Sequence, residues 1–192
     1  FRCLAENYLG SDSPNLQTAF FDIETDFDPE KGYSTPDDPF TRITAITVYL
    51  DWMDQLITLA LPPKAMSMEE ANRIGGRFDN TFMFDSEREM LLTFIELIDD
   101  ADVLSGWNSE GFDIPYIINR ITVVLSKDDT RRFCLWDQFP KVREYEKYGK
   151  TSSTYDLVGR VHMDYMELYR KYTYEERHSY SLDAIGEYEL GE

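Results

Sequence analysis

At 192 residues, 42% of them hydrophobic and 15% aromatic, the chain is long enough to bury one domain-sized core, which excludes intrinsic disorder. No apolar run approaches the roughly 20 residues that cross a bilayer, and the mixture of Arg2, Glu6 and Asn7 in the first ten residues excludes a signal peptide. A net charge of −18, from 37 acidic against 19 basic residues, excludes a free-standing protein that grips nucleic acid with its own Lys and Arg; any DNA contact would need bound cations or a basic partner domain.

Taken in chain order, residues 1–16 are polar and turn-rich, ending in Ser11-Asp12-Ser13-Pro14-Asn15, and are expected to be a lead-in from a preceding domain. The domain proper is expected over 17–192. Thr18 to Thr25 (TAFFDIET) predicts a strand from its aromatic and β-branched content, with Ala19-Phe20-Phe21 suggesting burial on both faces. Residues 26–40, holding Pro29, Gly32, Pro36 and Pro39, read as a loop. Arg42 to Leu50 and Gln55 to Leu61 are two further strands, and the intervening Asp51-Trp52-Met53-Asp54 makes them a hairpin. Residues 62–80 read as irregular, followed by a short strand at Phe82 to Phe84. Ser86-Glu87-Arg88-Glu89 is a capping box that opens a helix with Leu91, Phe94, Ile95 and Ile98 on one face.

Val103 to Gly106 predicts a short buried strand. From Phe112 a helix carries Ile114, Ile117, Ile118, Ile121, Val124 and Leu125 at helical spacing, with Pro115 in the first turn, where proline is tolerated. Residues 126–156 read as charged and irregular, with a hairpin around Lys147-Tyr148-Gly149-Lys150. Val158 to Met163 is strand-like, and Asp164 to Tyr172 and Ser181 to Tyr188 are helical. Several strands followed by βα alternation predict an α/β domain with a mixed sheet, with no internal repeat and no second domain. Cys3 and Cys134 form no C-x-x-C, so neither a disulfide framework nor a zinc site is expected, and a reducing, cytosolic setting follows.

Two short segments carry candidate chemistry. In Asp22-Ile23-Glu24 the carboxylates are two apart on a strand and project to the same side. Such a pair repels itself unless a cation joins it, and hard divalent ions favour oxygen ligands; the alternative is that both are solvated at an exposed strand end. In Gly106-Trp107-Asn108-Ser109-Glu110-Gly111-Phe112-Asp113 a turn leads into the amphipathic helix, which places Asp113 where helix meets sheet. Asp113 can equally serve the positive end of the helix dipole, so local physics leaves its two readings even.

FFDIET followed by GWNSEGFDIPYIINR resembles the Exo I and Exo II motifs of the DEDD exonuclease superfamily in its family B DNA polymerase form. The likeness continues through DSEREMLLTFIELI, GRVHMDYMELYRKY and SYSLDAIGEYELGE, and the phage-type branch is the most similar. This resemblance implies a ribonuclease H-like α/β fold and 3′–5′ exonuclease (proofreading) activity in DNA replication. Asp22 and Glu24 take the Exo I roles and Asp113 the Exo II role, as catalytic ligands of two Mg²⁺ or Mn²⁺ ions. Asn108 and Phe112 match Asn-x-x-x-Phe-Asp and would position the terminal nucleotide, Phe112 by stacking; as plain structure they would be a helix-entry cap and a core ring. The implied partners are a single-stranded DNA 3′ end, the nucleotide monophosphate product and the remaining domains of a parent polymerase. No membrane is implied, and the location would be the cytoplasm of a phage-infected host cell.

The superfamily has a fourth carboxylate, which family B polymerases carry in Tyr-x-x-x-Asp. The strings Tyr8 to Asp12 and Tyr33 to Asp37 precede Exo II and lie in turn-rich loops, so neither fits. His178-Ser179-Tyr180-Ser181-Leu182-Asp183 fits the His-x4-Asp of the other superfamily branch, with His178 as a general base, and supports an alternative stand-alone exonuclease on RNA or DNA. A third reading is a non-catalytic exonuclease-like module. Asp164 and Glu167 are expected on a solvated helical face. The chain does not begin with Met and stops at Leu190-Gly191-Glu192, so the expectation is a piece that ends before the fourth carboxylate and is of low activity alone.

Overall fold

Alternation along Thr18–Thr25 sets the frame of the domain. In the computed structural model, which describes residues 6–7, 10–147 and 149–191, this segment is strand β1, with Ala19, Phe21 and Ile23 buried and Phe20, Asp22 and Glu24 on the other side. The expected burial on both faces does not hold: Phe20 is 38% exposed, so one face of the strand serves the core and the other is open. β2 (Ile43–Leu50) and β3 (Gln55–Ala60) extend the sheet as an antiparallel hairpin, with Asp54 at φ 51 in its turn, a conformation that Asp tolerates. β4 (Thr81–Met83) adds in parallel to β3, β5 (Val103–Gly106) in parallel to β1, and β8 (Val161–Asp164) in parallel to β5.

The resulting strand order is β4-β3-β2-β1-β5-β8. Helices α2 (Glu87–Leu97) and α3 (Asp113–Val124) supply Met90, Leu91, Phe94, Ile95, Ile114, Ile117, Ile118 and Ile121 to one core with Phe21, Ile23, Ile46, Val48 and Leu59. The Phe21 and Phe94 rings lie 5.4 Å apart across this layer. A mixed sheet flanked by helices is the expected ribonuclease H-like α/β arrangement. A nearly buried ion pair fastens the two helices. Arg120 meets both carboxylate oxygens of Glu87 at 2.8 and 2.6 Å, and Glu87 also accepts the Ile43 N–H of β2.

Two stretches expected to be irregular are ordered. Residues 62–80 contain α1 (Met68–Gly75), whose first turn is capped by the Ser67 hydroxyl accepting the Glu70 N–H, with Glu70 paired to Arg73. Residues 126–156 contain a 3₁₀ helix (Asp128–Phe133) that buries Phe133, then β6 (Lys141–Lys147) and β7 (Lys150–Asp156), paired along their full length. The expected hairpin around 147–150 is thus the tip of a seven-residue ladder; Tyr148 lies outside the described residues, as does Tyr8 with most of residues 1–9. After β8 come α4 (Tyr165–Tyr172) and α5 (Leu182–Leu190), and their Tyr165 and Leu182 border the open face of the sheet, in a cleft with Phe20, Asp22, Tyr49 and Trp107.

Candidate active site

Asp22 and Glu24 leave the open face of β1 side by side. The β1–β2 register slips between Glu24 and Thr25, so the ladder breaks just where Glu24 projects, a placement that turns strand ends at functional sites. Partial burial and then the neighbouring Glu24 charge raise the proton affinity of Asp22.

The third carboxylate arrives from β5. Pairing between β1 and β5 ends at Phe20 and Ser105, and the chain departs through Gly106, where a Cβ would lie 2.6 Å from the Phe21 carbonyl oxygen. Only glycine allows that approach. The following turn carries Asn108 at φ 58, whose carbonyl accepts the Gly111 and Phe112 N–H groups at 3.0 and 3.1 Å. Asp113 then opens α3, 3% exposed, and its Oδ1 accepts the Ile23 N–H at 3.1 Å. The side chain is therefore pressed against the β1 backbone between Asp22 and Glu24. Burial first, then the Asp22 charge and to a lesser degree that of Asp164, push its pKa up to about 7, against the opposing Ile23 hydrogen bond.

Asn108 and Phe112 are both half-buried. Asn108 belongs to the turn before the helix and is not its cap, which is Phe112 with no side-chain hydrogen bond, and the Phe112 ring packs 5.3 Å from Tyr116 at the edge of the core. His178 and Asp183 are elsewhere: His178 is exposed in a cleft with Glu175, Arg177 and Tyr188, and Asp183 is exposed in the first turn of α5. The charges felt by Asp113 are those of Asp22 and Asp164, not of Asp183.

Asp164 overturns the expectation of a solvated face. It is 7% exposed and caps α4, with Oδ1 accepting the N–H groups of Met166 (2.9 Å), Glu167 (3.3 Å) and Asn108 (3.1 Å), and Oδ2 that of Glu110 (3.0 Å). The signal was present in the sequence: Asp164-Tyr165-Met166-Glu167 has the spacing of a capping box. The Glu110 side chain meets Arg143 of the β6–β7 hairpin, which also pairs with Asp156.

Closely spaced carboxylates, two of them with raised proton affinity, are the oxygen donors that a hard divalent cation neutralises. Neighbouring pairs run from Glu24 to Asp22 and from Asp22 to Asp113, but among the described residues no three acidic, His or Cys side chains close into a metal-holding group.

The sequence matches the model of the DNA polymerase family B exonuclease domain over residues 1–185. The chain belongs to this family. Its exonuclease domain is similar to the DNA-directed DNA polymerases of Enterobacteria phage T4, at 33% identity over 108 residues, and of Escherichia phage RB69, at 34% over 109 residues. Those alignments cover 55% and 56% of this chain but 12% of either phage protein. DNA polymerase 1 of Sulfolobus acidocaldarius is 26% identical over 191 residues, 95% of this chain and 19% of that protein. The exonuclease domain thus spans a small part of the polymerases it matches. Among its described residues no helix is long and apolar enough to cross a membrane.

Proposed function

We propose that this exonuclease domain removes the 3′-terminal nucleotide from single-stranded or frayed primer DNA, as the proofreading step of a phage-type replicative DNA polymerase, and releases a nucleoside monophosphate. The observation that carries this reading is Asp113, a buried carboxylate held by the Ile23 N–H against the strand that projects Asp22 and Glu24. A carboxylate is costly in that position without a cation. Asp22, Glu24 and Asp113 would hold Mg²⁺ or Mn²⁺, two ions in the complete site, which when bound supply an activated water and stabilise the leaving 3′-oxygen. The exposed Asp22 and Glu24 leave that site reachable from the open face of the sheet.

Asn108 would orient the terminal nucleotide from the turn, and the half-buried Phe112 ring would offer it a stacking edge. The test uses the full-length polymerase with a labelled single-stranded oligonucleotide and Mg²⁺. Asp22→Ala and Asp113→Ala are each expected to lower exonuclease kcat by about 10³-fold, the loss of several kcal/mol of metal stabilisation, with primer extension unchanged. Wild-type exonuclease rates in both variants would sink the reading. Activity lost instead in His178→Ala would move the chemistry to the other branch.

A further inference from the structure

We infer that Asp164 is a positioning residue for this site: its buried carboxylate holds the Trp107–Phe112 turn and so sets where Asn108 and Asp113 stand against β1. The inference rests on the function proposed above. Capping α4 requires only the Met166 and Glu167 N–H groups. The carboxylate also takes the N–H groups of Asn108 and Glu110, from chain 56 and 54 residues away. Both belong to the turn that delivers Asp113, and neither is needed for helix α4.

β8 presents this function along one side. His162 and Asp164 are two residues apart and point the same way. His162 Nε2 lies 2.9 Å from the fully buried Ser109 hydroxyl, which donates to the Gly106 carbonyl. Asp164 itself pairs in register with Gly106, the residue where the turn leaves β5. The turn is therefore tied to β8 through Asn108, Ser109 and Glu110 in succession. The ties also hold Asn108 in its left-handed conformation. A carboxylate suits the task because charge-assisted hydrogen bonds to N–H groups are shorter and stronger than neutral ones. With three N–H groups on Oδ1 and one on Oδ2, Asp164 acts on the turn and not as a metal ligand.

The test compares Asp164→Ser and Asp164→Asn in the full-length polymerase. Serine still caps α4 but is too short to reach Asn108 and Glu110 as well. Asparagine keeps one oxygen and loses the bond to Glu110. Displacing the turn by about 1 Å is expected to lower exonuclease kcat by roughly 10²-fold in the serine variant and less in the asparagine variant. The Mg²⁺ concentration for half-maximal rate should rise in the same order through Asp113, while primer extension stays at wild-type rate. A helix-capping role alone would change the melting temperature and leave Mg²⁺ half-saturation unmoved, and that result overturns the inference. If the serine variant does not fold, the asparagine variant decides by the same two readouts. Asp22→Ala run alongside separates the failures. If it is inactive and the Asp164 variants are normal, only the positioning role falls; if it is fully active, the proposed function falls and the positioning role with it.

Discussion

Burial and hydrogen bonding pull Asp113 in opposite directions, and burial wins. The Ile23 N–H favours the charged form, yet the apolar surroundings and the Asp22 charge hold the group near neutrality, so a cation is what would keep it ionised. His162 shows the same burial effect on a base. It is held below its ordinary value of 6.5, chiefly by burial; Asp164 and Glu110 oppose that shift and Arg143 assists it. The folded protein then binds this proton less readily than the unfolded chain does. Its contribution to stability is complete above about pH 6.5 and is lost as the pH falls through that value toward the lower folded one. Replacing His162 by Gln, which keeps an amide nitrogen for the Ser109 hydroxyl, should flatten this part of the profile. Urea midpoints at pH 7.5 and 5.5 check it: the wild-type protein should lose more between the two than the variant.

At the level of elements, the Glu87–Arg120 pair joins α2, α3 and β2 where the loop over residues 26–40 crosses them, since Arg120 also donates to the Pro39 carbonyl at 2.9 Å. Both side chains are nearly buried, so removing one leaves an uncompensated charge. Arg120→Ala is expected to cost about 3–5 kcal/mol in urea unfolding, well above the effect of a surface pair. Both helices were readable from periodic Leu, Ile and Phe, and β1 from its aromatic and β-branched residues. What escaped had weaker local signals. α1 is a short helix that buries only two small residues, Ala71 and Gly75, and its Ser67 cap sits among residues that look like a loop. Half of the β6–β7 ladder is charged and most of the rest is Ser, Thr and Tyr, and pairing rather than burial defines it. At the site, the period-two spacing of Asp22 and Glu24 was visible in sequence. The role of Asp164 was not, because it depends on N–H groups more than fifty residues away.

For the whole molecule, charge is the dominant fact. With a net charge of −18 the domain repels a polyanion at long range, so any attraction to DNA would have to come from cations held at the carboxylates or from other parts of a larger polymerase. The salt dependence of binding reports how many Lys and Arg contacts phosphates. For single strands each contact adds about 0.7 to the slope of log affinity against log salt. The chain alone should therefore bind a labelled single-stranded oligonucleotide weakly, with a slope below about 2 in magnitude. The full-length polymerase should show a distinctly steeper one. Fluorescence anisotropy over a salt series, at fixed Ca²⁺ to avoid cleavage, makes the comparison. A slope of about −5 for the chain alone would mean that its few basic side chains form a DNA track of their own, and that the acidic surface does not govern how this domain meets its substrate.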